Sequence, residues 1–179
     1  MQDSSEKSLL IDCDDPEMNL LCSLIAKLTG CRYAAFYVDC GDYLCVASHH
    51  GLESRFFSRD QALATEILRS RKPLLIPNMA QHPAYAQRPM VNESPGLQFM
   101  MGVPVMTSEQ LCFGALVAAH PTDISEPAHW QAYMGSAARQ IAEHVETAQL
   151  ASDLHAEHSR QLPLTHTPLM VGAADAQIH

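Results

Sequence analysis

The feature that most limits the possible folds lies between residues 73 and 120, where a proline-rich stretch separates apolar segments. A short apolar segment at 74–76 is followed by about twenty residues that hold four prolines and one glycine and show no helical period. Two longer apolar segments, 97–106 and 111–120, come next and are joined by a polar turn. This order predicts three strands of a sheet beside a long loop. A loop of this length in a compact domain usually forms a lid or the wall of a binding site.

Size and charge exclude several classes of protein. The chain of 179 residues is long enough for one domain with a substantial core. It has no run of about eighteen apolar residues, and its polar N-terminus lacks the apolar segment of a secretory signal. We therefore expect a cytoplasmic protein without a membrane span. The net charge of −9 gives an acidic surface that repels phosphate backbones, so nucleic acid is not an expected partner.

The cysteines do not predict a metal site. There are six, at positions 13, 22, 31, 40, 45 and 112, with no Cys-x-x-Cys spacing. Cys40 and Cys45 flank a predicted hairpin turn, in which a two-residue loop places Cys40 opposite Tyr43 and Cys45 opposite Val38. A disulfide between them is therefore not the expected pairing. We expect reduced, mostly buried thiols.

The N-terminal third predicts a helix and a hairpin. Residues 1–13 are expected to be a flexible lead-in. Asp14-Asp15-Pro16 is a typical helix start, and Gly30 is a typical helix end. The apolar positions of the expected buried face recur at helical spacing: Met18, Leu20, Leu21, Leu24, Ile25 and Leu28. Residues 33–40 and 43–49 are then rich in aromatic and β-branched side chains and predict two strands.

Strand alternation defines one sheet face as a candidate pocket wall. Its members are mainly small or apolar, with two hydroxyls: Tyr33, Tyr37, Met100, Ala115, Val117 and Ala119. This face would either line a mainly apolar ligand cavity or fill a second small core with no ligand at all. The sequence leaves both interpretations open.

Two further helices complete the pattern. Asp60 is expected to cap a helix that ends near Ser70. A long helix is predicted from about residue 128 to 155, which at roughly 1.5 Å per residue is about 40 Å. Its first half should pack on the domain, and its second half should project or pair with another copy. Residues 160–179 show no period and are expected to be a flexible tail or linker. Helices around an antiparallel sheet predict an α+β layered domain.

Three segments resemble motifs of the GAF domain, a small-ligand sensor module common in bacterial signalling proteins. Residues 74–78 and 82–86, LLIPN and HPAYA, are similar to the family's strand and D-P-x-F-A element. Residues 92–105, NESPGLQFMMGVPV, resemble its G-x-P-x-I-R-F-Y-A-G-x-P-L strand, and residues 111–119 resemble its G-x-L-x-V strand. The resemblance covers roughly residues 15–150.

The resemblance implies a GAF/PAS-like α+β fold. An antiparallel sheet of about six strands would carry the terminal helices on one face and a loop-covered pocket on the other. Residues 14–150 would be the sensory domain, and residues 151–179 a helix extension with a flexible tail or linker. The domain would bind a small molecule or mediate homodimerisation, and it would pass a signal through its terminal helices to an attached output module. The residues expected on the dimerisation and signalling helix are Trp130, Met134, Ile141 and Val145.

Some members of the family are enzymes that reduce free methionine sulfoxide, and this is the main alternative. Those enzymes carry cysteines around the loop between the middle strands and acidic residues in the pocket. Here residues 73–111 contain no cysteine, and Met100, Val117 and Ala119 occupy positions where acids would be expected. No catalytic residue is assigned, and we expect no enzyme activity from this domain by itself.

Three other possibilities stay open. A thiol-dependent enzyme would have to use Cys40, Cys45 or Cys112. A purely structural dimer module would bind no ligand. The cofactor is unknown: no Cys-His pair is present for a bilin pigment, whereas ten histidines leave haem open.

Overall fold

A six-stranded antiparallel sheet forms the middle of the protein. The computed structural model describes residues 11–13, 15–53 and 55–161. In chain order the elements are α1 (Pro16–Thr29), β1 (Tyr33–Asp39), β2 (Tyr43–His50), β3 (Phe56–Ser58), α2 (Thr65–Ser70), β4 (Leu74–Ile76), a 3₁₀ turn (Met79–Gln81), α3 (Pro89–Asn92), β5 (Phe99–Met106), β6 (Cys112–His120) and α4 (Trp130–Gln161). The strand order is β3-β2-β1-β6-β5-β4. The predicted α+β fold is confirmed.

Each face of the sheet carries its own apolar core. The helix-side core lies between the sheet and helices α1 and α4, and it includes Phe36, Leu116 and Ile141. The loop-side core lies on the opposite face, where α2 and the long loop cover it, and it includes Tyr37 and Val117. The alternation along β1 and β6 is therefore as predicted, because successive side chains enter opposite cores.

Helix α1 begins and ends at the predicted signals, but only part of its predicted buried face is correct: Met18 and Ile25 are buried, and Leu21 is partly buried. Asp15 is its N-cap and accepts hydrogen bonds from the amides of Glu17 (2.8 Å) and Met18 (3.3 Å), and Gly30 ends it at φ 72°. The buried residues are Met18, Cys22, Ile25, Ala26 and Thr29.

The prediction that Leu20, Leu24 and Leu28 are buried is wrong. Leu20, Leu24 and Leu28 are 70 %, 48 % and 48 % exposed. The small side chains of Cys22 and Ala26 face the strands instead, and Cys22 Sγ lies 3.4 Å from Ser48 Oγ. Small residues permit this close approach of helix and sheet, and the leucines are consequently turned outward.

The region around α2 differs from the prediction. The helix begins at Thr65 after Ala64, which provides no side-chain cap, so Asp60 is not its N-cap. The Thr65 hydroxyl donates instead to the carbonyls of Arg59 and Ala62, which stabilises the preceding turns. Strand β3, which has three residues, was not predicted because so short a segment carries no periodic signal.

Helix α4 packs on the sheet only along its first half. Its core contacts end at Val145, and Ala148, Ala151 and Leu154 are exposed. At roughly 1.5 Å per residue its 32 residues span about 48 Å. None of the helices in the described parts of the chain combines the length and apolar character needed to cross a membrane. Of the tail predicted at 160–179, residues 160 and 161 belong to α4, and residues 162–179 lie outside the described residues, as does most of the lead-in.

Candidate functional site

The sheet pairs bring the six predicted wall residues together. β1 pairs with β6 so that Tyr33 faces Ala119 and Tyr37 faces Ala115. β5 pairs with β6 so that Met100 also faces Ala119. Five of the six are members of the loop-side core, and the partly buried Tyr33 packs against it. The predicted grouping is therefore present, although no ligand contact tests its role.

The space above this wall is filled by side chains from α2, the turn before it and the long loop. Leu63, Ile67, Met79, Tyr85 and Leu97 are at most 2 % exposed. They leave a cavity of about 10 Å³ lined by residues that include Tyr33, Tyr37, Leu63 and Leu97. Such a volume holds about one water molecule, whereas small-molecule pockets are typically about 300–1,000 Å³. In this conformation the loop side of the sheet is a second core.

One polar group at this cavity lacks a protein partner. The Tyr37 side chain is completely buried, and its hydroxyl makes no hydrogen bond with any described residue. Burial raises the pKa of the phenol, so it stays protonated at neutral pH. The neighbouring Phe57 ring, 5.9 Å from the Tyr37 ring between centroids, adds only an apolar contact. The hydroxyl is available as a donor within the cavity.

Arg88 fastens the long loop to the chain before α2. Its side chain is only 9 % exposed, Nε donates to the Ala84 carbonyl at 2.9 Å, and Nη1 donates to the Ala62 carbonyl. The guanidinium also lies over the Tyr85 ring, 4.2 Å from its centroid, and the Tyr85 hydroxyl donates to the Leu63 carbonyl at 3.1 Å. Two side chains of the loop thus bind consecutive carbonyls.

Among the described residues, the direct contacts of the Arg88 guanidinium are carbonyl oxygens and the Tyr85 ring. Burial lowers the pKa of its guanidinium, and nearby Tyr85, Asp60 and Glu66 partly offset this effect. No ion pair involving Arg88 occurs within the described residues. Sequence reasoning missed this residue, because an arginine between a polar glutamine and a proline in a loop is usually solvated.

Two of the three cysteines considered for thiol chemistry are in contact. Cys40 Sγ lies 2.9 Å from Cys45 Sγ. The predicted register is confirmed, since Val38 pairs with Cys45. Both cysteines are free thiols, and the contact between their sulfur atoms was not predicted. Cys112 packs against the loop-side core, and burial raises the pKa of its thiol.

The histidines in the described ranges show no metal-binding arrangement. His120 Nδ1 accepts from the Arg32 amide at 3.1 Å, and His82 Nδ1 accepts from the Ala84 amide at 3.3 Å. The Nδ1 atom of His49 is buried and has no partner within the described chain. No group of three or more potential metal-binding side chains converges in the described ranges.

The helix residues assigned to dimerisation need a correction. Trp130, Met134, Ile141 and Val145 are at most 4 % exposed and belong to the helix-side core of the same chain. They anchor α4 to the sheet and are not accessible to a partner. The apolar periodicity correctly identified the buried face, but it cannot tell an internal contact from an intermolecular one.

The exposed apolar side chains of the terminal helices lie elsewhere. Leu20, Leu24 and Leu28 recur every four residues along α1, and Leu150 and Leu154 do so near the end of α4. Leu150 also borders a groove of about 230 Å³ beside the turn between β5 and β6. The beginning of α1 is linked to the middle of α4, because His144 Nε2 lies 2.9 Å from Asp15 Oδ2.

Comparison with known proteins gives the family. The sequence matches the GAF domain model over residues 18–149. No curated protein matches the sequence significantly. The GAF domain of an Acinetobacter phosphoenolpyruvate-protein phosphotransferase is 12 % identical, with a TM-score of 0.62 over 76 % of this chain and 84 % of that chain.

Other solved structures share the fold. A GAF domain/HD domain protein from Geobacter sulfurreducens is 21 % identical, with a TM-score of 0.61 over 80 % of this chain and 98 % of that chain. A type II free methionine-R-sulfoxide reductase from Thermoplasma acidophilum is 16 % identical, with a TM-score of 0.62 over 74 % of this chain and 92 % of that chain. Identities this low establish a common fold only. Because the family model spans the whole sheet and most of both terminal helices, the chain belongs to the GAF domain family.

Proposed function

We propose that this chain is a regulatory GAF domain that self-associates through the exposed leucines of α1 and α4 and passes a signal along α4. The observation that carries the proposal is the extent of α4 beyond its own core. Sixteen residues, 146–161, follow the last core residue, which corresponds to about 24 Å of helix. Leu150 and Leu154 in this part are 64 % and 66 % exposed.

The spacing of the exposed leucines supports helix pairing. Residues four apart lie on one face of a helix. Leu20, Leu24 and Leu28 therefore form one outward stripe on α1, and Leu150 with Leu154 begins another on α4. Contiguous exposed apolar surface on a small domain usually marks an interaction site. A second copy of the chain would cover both stripes.

The contacts between the terminal helices support their role in transmission. His144 on α4 lies 2.9 Å from Asp15 Oδ2 and 3.5 Å from Glu17 Oε2, at the beginning of α1. Both helices pack on the same sheet face, whose other face carries the loop-side core. A change in the loop-side packing would therefore shift the population between two arrangements of the helices.

Binding of a small molecule is a separate question from dimerisation. The loop-side core holds a cavity of only about 10 Å³, so an organic ligand would require the long loop to move away from Tyr37 and Val117. A domain that works mainly by dimerisation requires no such movement. We favour the dimerising module without enzyme activity of its own, attached in its natural setting to an output module.

The experiment is a comparison of self-association between matched variants. Sedimentation velocity over a wide concentration range would be run on the wild type and on the double variant Leu150→Glu/Leu154→Glu. We expect a dimer for the wild type and at least a tenfold weaker dimer for the variant. Phe56→Glu is the matched control, because Phe56 is also 66 % exposed but lies on the edge strand β3.

The outcome separates the possibilities. Equal dimer stability in the wild type and the double variant would contradict the role of the α4 leucines. Loss of the dimer in the Phe56 control would place the interface at the sheet edge instead. Circular dichroism of each variant would verify that the fold is retained.

A further inference from the structure

A pair of thiols lies at the end of the β1–β2 hairpin, away from the loop-side cavity. Cys40 follows the last residue of β1, and Cys45 lies within β2. Their sulfur atoms are 2.9 Å apart. A disulfide bond has a length of about 2.0 Å, so the two atoms need to approach each other by about 1 Å to bond.

The register of the hairpin explains this contact. Val38 pairs with Cys45, and Asp39 pairs with Leu44. Residues opposite each other point to the same sheet face, and so do residues two apart on one strand. Cys40 is two residues beyond Val38, so it is a diagonal neighbour of Cys45 on a shared face. Diagonal neighbours in an antiparallel pair are close enough for side-chain contact.

The chain between the thiols is held in place. The Arg59 side chain forms an ion pair with Asp39 and donates to the Gly41 carbonyl. The Cys40 amide donates to the Tyr43 carbonyl at 3.1 Å. These contacts restrain the hairpin turn on both sides, so the sulfur atoms stay near each other without a covalent bond.

The two thiols differ in accessibility. Cys40 is exposed, whereas Cys45 is partly buried. Burial raises the pKa of Cys45 to about 12, and the adjoining Cys40 thiol and the nearby Cys13 add to the effect. Cys45 is therefore a neutral thiol at physiological pH. An oxidant from solution meets Cys40 first.

We propose that Cys40 and Cys45 are a reversible disulfide site that is oxidised by hydroperoxides. The Cys40 thiolate attacks the peroxide O–O bond and becomes a sulfenic acid, while the second oxygen leaves as hydroxide and takes up a proton as water or, from an organic peroxide, as an alcohol. Cys45 then attacks the Cys40 sulfur as it transfers its proton, and the sulfenic oxygen leaves as water. In total, two thiols and one hydrogen peroxide give one disulfide and two waters.

A thiol of low molecular weight can reduce the disulfide again. One such thiolate, glutathione for example, attacks the disulfide and forms a mixed disulfide, and a second one releases it. Two protein thiols and one oxidised disulfide of the reductant result. This chemistry is independent of the proposed dimerisation, because it needs only the hairpin of one chain.

Peptide mapping of the full-length protein tests the proposal directly. Cleavage after Arg32 and Arg55 places both cysteines in the single peptide 33–55 and all other cysteines outside it. The folded protein would be treated with a small excess of hydrogen peroxide, alkylated with iodoacetamide and digested without reduction. We expect peptide 33–55 to be two hydrogens lighter and to carry no alkyl group. Glutathione added before alkylation should restore two alkyl groups.

Two variants test whether Cys40 and Cys45 are the residues that form the disulfide. Cys45→Ser should stop at the sulfenic acid on Cys40, which dimedone traps, whereas Cys112→Ser should leave disulfide formation unchanged. We expect oxidation of the pair at least tenfold faster than loss of the Cys112 thiol.

Two results would overturn the proposal. The first is a peptide 33–55 that still takes up two alkyl groups after oxidation of the other thiols. The second is a disulfide that joins Cys13 to either partner.

Discussion

Arg88 shows how one buried charge can organise a loop. Its donors meet the Ala84 and Ala62 carbonyls, and its planar face lies on Tyr85. Each contact is modest, yet together they connect the long loop with the turn before α2. Hydrogen bonds from a charged donor contribute about 1.5–3 kcal/mol each, and a desolvated cation–π contact adds up to about 2 kcal/mol. Desolvation of the guanidinium opposes these gains.

Replacement of Arg88 should therefore destabilise the protein. We expect Arg88→Ala to lower the free energy of unfolding by about 2–3 kcal/mol. Arg88→Lys should recover only part of the loss, since an ammonium group lacks the planar fork that reaches two carbonyls. Urea denaturation measures both changes. The control is Arg139→Ala, at an exposed site on α4, which should change the free energy of unfolding by less than about 0.5 kcal/mol. Similar losses at both sites would contradict a stabilising role of the Arg88 contacts.

At the scale of single elements, the beginning of α1 contains a titratable cap. Burial alone would raise the pKa of Asp15, but the amides of Glu17 and Met18 together with His144 outweigh it and hold the pKa below its usual range. A carboxylate with a lowered folded-state pKa stabilises the fold above its unfolded pKa of about 4. That contribution is lost as the pH falls through the folded pKa.

Asp15→Ala should consequently have a pH-dependent cost. At pH 7 we expect the free energy of unfolding to fall by about 1 kcal/mol, as for other helix N-caps. The difference between wild type and variant should shrink below pH 4, where the carboxylate of the wild type becomes protonated. Thermal or urea unfolding across pH 2–7 measures it. A difference that stays constant to the lowest pH would mean that the charge of Asp15 contributes nothing.

The elements also show where sequence patterns succeed. Strand alternation correctly separated Phe36 from Tyr37, because a half-buried strand must place successive side chains on opposite faces. The same argument places Met100, Val117 and Ala119 in one group. Whether that group encloses a ligand could not be predicted, since the answer depends on how closely Leu63 and Leu97 approach from elsewhere in the chain.

Helix α1 and the thiol pair show where such patterns fail. Hydrophobicity favoured Leu20, Leu24 and Leu28 as the buried face, but close packing against the sheet selected Cys22 and Ala26. How well a helix and a sheet fit together depends on the side chains of both, so the sequence of one element alone does not predict it.

The missed Cys40–Cys45 contact has a simpler cause. The hairpin register places Cys40 and Cys45 opposite other residues, but diagonal neighbours share a face as well.

At the scale of the whole molecule, two cores share one sheet. Phe36 and Tyr37 are adjacent in β1 yet enter different cores, so only the strands themselves separate the loop side from the helix side. Densely packed interiors transmit displacement because they have few voids to absorb it. This arrangement provides a short route from the long loop to α4. Under the proposed function, a signal from the loop would pass through the helix-side core.

A charge placed in the helix-side core should strongly destabilise the fold. Ile141 is completely buried on α4, and Ile141→Asp would add an unpaired carboxylate and a cavity. We expect a loss of at least about 3 kcal/mol in the free energy of unfolding, or no folded protein. Gln140→Asp, at the exposed neighbouring position, should cost less than about 1 kcal/mol. Calorimetry with size-exclusion chromatography measures both. Equal stability of the two variants would contradict the assigned orientation of α4.

The two outermost strands limit how copies of the protein can meet. β3 and β4 have three residues each, whereas β5 and β6 at the interior have eight and nine. Unpaired amides and carbonyls along an edge are the usual template for adding a strand from another molecule. Edges this short expose little of that template. The sheet is therefore poorly suited to extend into a neighbour, and crowded solutions of the folded domain should resist strand-mediated aggregation.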